Sequence, residues 1–227
     1  MDAWKWTEEL AEKLREEFGI RLLFVGLQGS RLRGEETPQS DIDVMAGLDT
    51  LDVQDLGSYQ RCLRQMPDWE KACGFISGRE ELLHWPRHEL FAVKQGTAPV
   101  FGSLAGLLPP FTREDVRQSV RIGASALYHE TAHRFLYGGA AEGLHGGYKA
   151  AFFLLQAIHY LRTGDYVPTK RELRPLLSGE ECRILEIGMD WDAFASERRR
   201  DPETFFNRLL VWSGKLLTEE SAVDGEG

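Results

Sequence analysis

One stretch of this sequence constrains its fold more than any other. Residues 29–44 read GSRLRGEETPQSDIDV and follow a short apolar run of branched and aromatic side chains, residues 20–27. A run of this length and composition predicts a buried strand. The segment DIDVM predicts a second strand after a polar loop. Because side chains alternate along a strand, Asp41 and Asp43 should share one face.

The two predicted carboxylates have a direct chemical consequence. Carboxylates on one face of a strand raise each other's pKa unless a cation lies between them. Mg²⁺ prefers hard oxygen ligands and completes its shell with water and substrate phosphates. At the end of the preceding strand, Gly29 and Ser30 would offer backbone N–H groups and a hydroxyl to the same phosphates. The sequence therefore predicts a phosphate-binding turn that faces a metal-binding pair, Asp41 and Asp43.

These residues resemble the signature of the nucleotidyltransferase superfamily, which includes DNA polymerase β and the kanamycin and streptomycin adenylyltransferases. The signature is Gly-Ser, a loop that often contains Arg-Gly, and Ser-Asp-x-Asp followed by an apolar residue. The matching residues here are Gly29, Ser30, Arg33, Gly34, Ser40, Asp41, Asp43 and Val44. The alternative interpretation is an ordinary strand-turn-strand unit with solvated aspartates.

The resemblance implies a reaction and a set of roles. The reaction would transfer a nucleoside monophosphate to a hydroxyl of an acceptor. The favoured donor is ATP, from which AMP would be transferred. Asp41 and Asp43 would hold two Mg²⁺ ions, which stabilise the entering and leaving oxygens. The triphosphate would be bound by the Gly-Ser turn and the loop. Those nucleotide-binding residues are Gly29, Ser30, Arg33 and Ser40.

The resemblance also implies a third acid, early on the strand that follows the Asp-x-Asp strand, which binds metal and accepts the acceptor's proton. The strand predicted there, residues 72–77 (ACGFIS), contains no acid. Glu70 is the first candidate if this strand begins at Trp69, and we assign it the catalytic role. Glu81 and Glu89 on the next segment are alternatives, and the sequence leaves open which glutamate, if any, takes this role.

The pair Pro109-Pro110 predicts a domain boundary, because paired prolines continue neither a helix nor a central strand. We expect an α+β fold: a nucleotidyltransferase domain over residues 1–108, with a small mixed sheet flanked by helices, and a helical bundle over residues 111–220. The predicted strands are residues 20–27, 41–45, 72–77 and 99–102. The predicted helices are residues 4–18, 52–65, 87–95, 112–137 (ending at Gly138-Gly139) and 148–163, with a last helix that opens at Asp201-Pro202.

A second, weaker resemblance covers residues 148–173, which look like the second domain of aminoglycoside adenylyltransferases. There an apolar helix ends in a Thr-Gly turn, here Thr163-Gly164, and a lysine follows, here Lys170. The resemblance implies that this domain closes over the nucleotide, and that Lys170 and Lys149 neutralise triphosphate charge. It favours a small-molecule acceptor, of which an aminoglycoside is one version. A non-catalytic or toxin–antitoxin-like nucleotide-binding module is the alternative.

Residues 129–133 (HETAH) present a competing motif. On a helix, H-E-x-x-H sets His129 and His133 on one face for Zn²⁺, with the glutamate as base. A catalytic zinc needs a third ligand, and no third ligand follows at the spacing of known zinc proteases, so a zinc hydrolase is the less favoured hypothesis. In the alternative interpretation Tyr128 and Ala132 face the core and the histidines line a cleft.

The net charge and the spacing of the cysteines argue against some classes of protein. A net charge of −9 argues against non-specific nucleic-acid binding, which needs clustered Lys and Arg, although it would suit a cationic acceptor. Cys62, Cys73 and Cys182 show neither paired nor metal-type spacing, which predicts reduced thiols and a cytoplasmic protein. No apolar run is long enough to cross a bilayer, so no membrane association is expected. The oligomeric state is left open.

Overall fold

The first of the two units into which the chain divides, Met1–Phe111, is built on a four-stranded mixed sheet. The computed structural model describes residues 2–138, 140–219 and 223. The helices and strands of this unit are α1 (Ala3–Phe18), β1 (Leu22–Leu27), α2 (Gly29–Arg33), β2 (Ile42–Leu48), α3 (Val53–Leu63), β3 (Ala72–Gly78), α4 (Arg79–Leu83), α5 (Leu90–Gln95) and β4 (Ala98–Gly102). Single turns of 3-10 helix cover Gly19–Arg21, Trp69–Lys71 and Arg87–Glu89.

The sheet has the strand order β3-β2-β1-β4. Strand β1 pairs antiparallel with both β2 and β4, while β2 pairs parallel with β3. Strand β2 is therefore central, and its side chains are buried except for the half-buried Asp43. This strand consequently carries a carboxylate within an otherwise apolar interior.

Each face of the sheet has its own core. Helices α1 and α3 cover one face, where a stripe of apolar side chains at helical spacing on α1 is buried with Ile42 and Val44. The stripe comprises Trp6, Leu10, Leu14 and Phe18. On the other face Phe24 and Met45 pack against Leu82 and Leu90. Because residues alternate along β2, Asp43 lies on the same face as Met45.

Two local predictions in this unit were wrong. The Gly-Ser turn and the residues after it form a helical turn, α2, which Gly34 ends in the left-handed conformation at φ 65°. Strand β2 begins at Ile42 and not at Asp41. The reason is that the Arg31 guanidinium binds the carbonyls of Ser40 (2.7 Å) and Asp41 (2.9 Å), which holds these residues in the loop.

In the second unit, Thr112–Gly227, the described secondary structure elements are all helices. Its helices are α6 (Arg113–His133), α7 (His145–Thr163), α8 (Lys170–Leu173), α9 (Gly179–Met189), α10 (Ala195–Arg200) and α11 (Pro202–Thr218). Helix α6 packs against α7 and α11, and α7 packs against α9. Thr112 and Asp115 form a capping box at the start of α6, and Asp201 caps α11, as their sequences predict.

The end of α6 differs from the prediction. Regular α-helix stops at His133, and Arg134–Gly138 form a π-helical turn. Gly139, the second residue of the predicted stop, lies outside the described residues. The short helices α8 to α10 were not predicted. The α+β class, a small mixed sheet flanked by helices and followed by a helical part, is confirmed. Among the described helices, none combines the length and the apolar character that a membrane span requires.

Candidate active site

The Gly-Ser turn and the second aspartate lie in direct contact. Gly29 has φ +74°, and a Cβ built on it would lie 1.8 Å from Oδ2 of Asp43. The backbone N–H of Gln28 donates to the carbonyl oxygen of Asp43 at 2.8 Å. A residue with a side chain cannot occupy position 29 unless Asp43 moves. The structure therefore brings together Gly29 and Asp43, which the sequence predicted for one site.

The electrostatics of the pair favour a bound cation. Asp43 is half-buried and Asp41 is exposed at the entrance of β2. Burial raises the pKa of Asp43, and the charge of Asp41 raises it further, while Arg33 and Arg31 act in the opposite direction. A carboxylate under these conditions gains from a cation that neutralises it. The two arginines compensate only part of this charge.

Mg²⁺ fits this donor set. The available ligands are carboxylate oxygens, and Mg²⁺ typically takes one or two protein carboxylates together with water and substrate phosphates. The hydroxyl of Ser30 makes no hydrogen bond to any described residue, and its carbonyl accepts from the Glu35 N–H at 2.9 Å. Ser30 is therefore held by its backbone, which leaves its hydroxyl available to a phosphate.

The loop residues have more structural partners than the sequence indicates. Arg33 pairs with Glu35 at 3.1 Å. The Ser40 hydroxyl accepts from the Thr37 N–H at 2.9 Å, within the loop. Arg33 and Ser40 therefore lie beside the aspartates but already have partners in the loop.

Two residues position the site in ways that sequence reasoning did not assign to them. Arg31 binds the carbonyls just before β2 and so fixes the backbone that carries Asp41. Gln28 joins the turn to the sheet, because its side-chain amide donates to the Thr97 hydroxyl at 2.6 Å. The position of Arg31 directly after Gly29-Ser30 could have indicated its role from the sequence. The partner of Gln28 is far away in sequence, so no local pattern indicates this contact.

Strand β3, on which the resemblance implies a third acid, carries no Asp or Glu. In the parallel β2–β3 pair, Asp43 is in register with Cys73, and the thiol side chain is exposed. The strand begins at Ala72, so the condition under which Glu70 would lie on it is not met. Glu70 lies in the exposed 3-10 turn Trp69–Lys71. Its proton-accepting role remains a prediction.

The alternative glutamates are engaged elsewhere. Glu89 accepts a hydrogen bond from the Trp85 indole at 2.8 Å. The carboxylate of Glu81 lies against Gly78 at the end of β3. Over residues 2–138, 140–219 and 223, no three His, Cys, Asp or Glu side chains converge closely enough to hold a metal ion. The structure thus does not bring Glu70, Glu81 or Glu89 into a cluster with the aspartate pair.

The two lysines belong to the second unit. Lys149 is exposed on α7. Lys170 begins α8, and its Nζ lies 4.9 Å from the ring centroid of Phe152, a distance at which an ammonium is attracted to an aromatic face. Their role toward a triphosphate remains a prediction.

The H-E-x-x-H segment forms the exposed end of α6. Glu130 accepts a hydrogen bond from Arg134 at 2.8 Å, so its carboxylate is already paired. Tyr128 is 42% exposed, which makes the prediction that it faces the core wrong. Among the described residues, no third ligand that a catalytic zinc requires lies with the two histidines.

Comparison with known proteins gives a family match and a similar structure. Residues 7–61 match the family model described as a nucleotidyltransferase domain. This segment includes Gly29, Asp41 and Asp43. No curated protein sequence matches the chain. The chain is similar in structure to spectinomycin adenyltransferase AAD(9) from Enterococcus faecialis, solved with ATP and spectinomycin.

The TM-score with that protein is 0.58 at 14% identity, over 91% of this chain and 98% of that one. At this identity the likeness concerns the fold. The family model confirms the resemblance to nucleotidyltransferases over residues 7–61, and the fold as a whole resembles that of an adenyltransferase.

Proposed function

We propose that this protein is a Mg²⁺-dependent nucleotidyltransferase that transfers AMP from ATP to a hydroxyl of a small-molecule acceptor. The contact between Gly29 and the Asp43 carboxylate carries this proposal, because it sets a phosphate-binding turn beside a metal-binding acid. The nucleotidyltransferase match over residues 7–61 supports the same reaction. The similar fold solved with ATP supports the choice of nucleotide.

In the proposed reaction the acceptor oxygen attacks the α-phosphorus, a new O–P bond forms, and the bond to the bridging oxygen breaks to release pyrophosphate. Asp41 and Asp43 would hold the metal. Bound Mg²⁺ would supply charge neutralisation at the phosphates. The backbone of Gly29 and the hydroxyl of Ser30 would orient the β and γ phosphates.

Transfer requires a group that accepts the proton of the acceptor hydroxyl, whereas nucleotide binding alone does not. Glu70, on the turn that leads into β3, would accept it in the reaction we favour. The thiol of Cys73, in register with Asp43, stands on the strand where the resemblance implies an acid. This observation favours a second candidate function, a nucleotide-binding module that does not transfer.

For the acceptor we propose a cationic small molecule such as an aminoglycoside. The net charge of −9 would steer a cation toward the protein. The similar structure contains spectinomycin, which makes that compound the first one to test. The proposed roles of Arg33, Ser40, Lys149 and Lys170 in holding the triphosphate rest on the resemblance.

Two measurements test the proposal. Calorimetry with ATP and Mg²⁺ detects binding, and pyrophosphate release across spectinomycin and other aminoglycosides detects transfer. Asp41→Asn and Asp43→Asn should lose both signals. Asp68→Asn is the matched control, because Asp68 is exposed with φ 51°, a conformation that asparagine tolerates. Binding without release from any acceptor would favour the binding module, and no magnesium-dependent binding of ATP would refute both functions.

A further inference from the structure

The two histidines near the end of α6 form a chelating pair that the proposed transfer reaction does not use. His129 and His133 are separated by four residues, so they project from the same side of the helix one turn apart. Their ring centroids lie 6.1 Å apart with an interplanar angle of 39°. Both side chains are exposed. Among the described residues, neither ring makes a hydrogen bond or an ion pair.

The separation of the rings is close to that of two imidazoles on one ion. An imidazole nitrogen binds Zn²⁺ at about 2.0–2.1 Å, which places each ring centroid about 3 Å from the ion. At a tetrahedral angle between the two nitrogens, two rings on one ion therefore lie about 5 Å apart, centroid to centroid. The observed separation of 6.1 Å is about 1 Å longer than this. Because both side chains are exposed, we expect side-chain rotation to bring a nitrogen of each ring onto one ion.

The helix that carries the pair is firmly held. Helix α6 packs against α7 and α11, and its apolar side, which includes Val120, Ala124 and Leu127, is buried. The Glu130 carboxylate accepts a hydrogen bond from Arg134. The donor set within the described residues is thus two imidazoles, and water would complete the coordination.

We propose that His129 and His133 bind a late first-row transition-metal ion, Zn²⁺, Ni²⁺ or Cu²⁺, as a non-catalytic clamp at the end of α6. Imidazole suits these ions, whereas Mg²⁺ prefers oxygen ligands, so this site differs in kind from the aspartate pair. His133 is the last residue of α6, directly before the π-helical turn Arg134–Gly138. The clamp ties this last residue to the preceding turn and stabilises the end of the helix.

The order of affinities follows from the ligand type. Cu²⁺ should bind most tightly, Ni²⁺ and Zn²⁺ should follow, and Mn²⁺ should bind weakly. Binding should weaken in acid, because an imidazole must lose its proton to bind a metal. Bound metal should raise the thermal midpoint, since a ligand that prefers the folded state stabilises it.

The test is calorimetry with Ni²⁺ and Zn²⁺ on untagged protein at millimolar Mg²⁺, which keeps the aspartate pair occupied. A Cys73→Ser background removes the exposed thiol as a competing ligand. One ion should bind per chain, and His129→Ala or His133→Ala should each weaken binding at least tenfold. The spacing control His129→Ala/Ala126→His keeps two histidines but separates them by seven residues, and it should bind as weakly as the single variants.

Electron paramagnetic resonance with Cu²⁺ gives an independent readout. The spectrum of the parent protein should show coupling to two imidazole nitrogens, and each single variant should show one. Because both histidines are exposed, the variants should keep the parent's circular dichroism. Unchanged Ni²⁺ affinity in both single variants, or tight binding in the spacing control, would overturn the proposal.

Discussion

Replacing Gly29 with alanine tests the contact between the turn proposed to bind phosphate and the acid proposed to bind metal. A Cβ at this position would lie 1.8 Å from Oδ2 of Asp43, whereas real Cβ contacts essentially never fall below 3.0 Å. The carboxylate oxygen must therefore retreat by about 1.2 Å. Mg²⁺ requires ligands at about 2.0–2.1 Å in near-ideal octahedral geometry, so a shift of this size would remove Asp43 as a ligand of the proposed metal ion.

The substitution has a second cost that is separate from the site. Gly29 has φ +74°, a left-handed conformation that costs other residues roughly 1–2 kcal/mol. Gly106, in the same unit, has φ +79° and open space where its Cβ would be. Gly106→Ala should therefore carry the same backbone penalty without any collision.

Urea denaturation and calorimetry with ATP and Mg²⁺ separate the two effects. Both variants should lose roughly 1–2 kcal/mol of unfolding free energy. Only Gly29→Ala should also lose nucleotide affinity, by at least about tenfold, which corresponds to about 1.4 kcal/mol. Equal affinity of Gly29→Ala and Gly106→Ala for ATP and Mg²⁺ would show that this contact does not build a nucleotide site.

Three further predictions concern single residues. Burial and Asp41 raise the pKa of Asp43, so its contribution to stability is present below about pH 4 and lost as the pH rises through the raised value. Asp43→Asn should therefore gain stability relative to the parent between pH 4 and pH 7 in urea titrations, and a constant difference would contradict this. The hydrogen bond from Arg21 lowers the pKa of Asp55, so Asp55→Asn should be less stable than the parent at pH 7. That deficit should shrink as acid protonates the parent's Asp55, and a deficit that persists in acid would show that the ion pair is not its cause. Cys73→Glu would add a carboxylate in register with Asp43, and it should raise ATP-dependent Mg²⁺ affinity by about tenfold, whereas Cys73→Ser should not. Equal affinities of these two variants in calorimetry would show that position 73 does not face the metal.

The sequence alone accounts for those features of the fold that depend on a local pattern of residues. Alternation along a strand accounts for the burial of the side chains at 42 and 44, and helical spacing accounts for the buried stripe of α1. The caps of α6 and α11 follow from Thr112 and Asp201 for the same reason. Helices α8 and α10 escaped prediction because they are brief and rich in charge, and helices of this length depend on tertiary contacts.

The parts of the site that were not predictable depend on contacts between distant segments. The start of β3 follows a turn in which Asp68 adopts φ 51°, and nothing in the local pattern fixes that turn. The register that pairs Asp43 with Cys73 exists only once two parallel strands have met. The start of β2 is set by the side chain of Arg31, whose carbonyl partners lie about ten residues away. The roles of the candidate site residues in binding and transfer stay predictions.

The strand order also bears on how this protein is made. Strand β1 pairs with β2, close by in sequence, and with β4, which spans Ala98–Gly102. As the chain leaves the ribosome, one edge of β1 thus waits without a partner until β4 has been synthesised. Open strand edges invite pairing with other chains. A fragment limited to residues 7–61 would keep the recognisable nucleotidyltransferase sequence but leave both sheet edges bare, and we expect it to aggregate instead of folding.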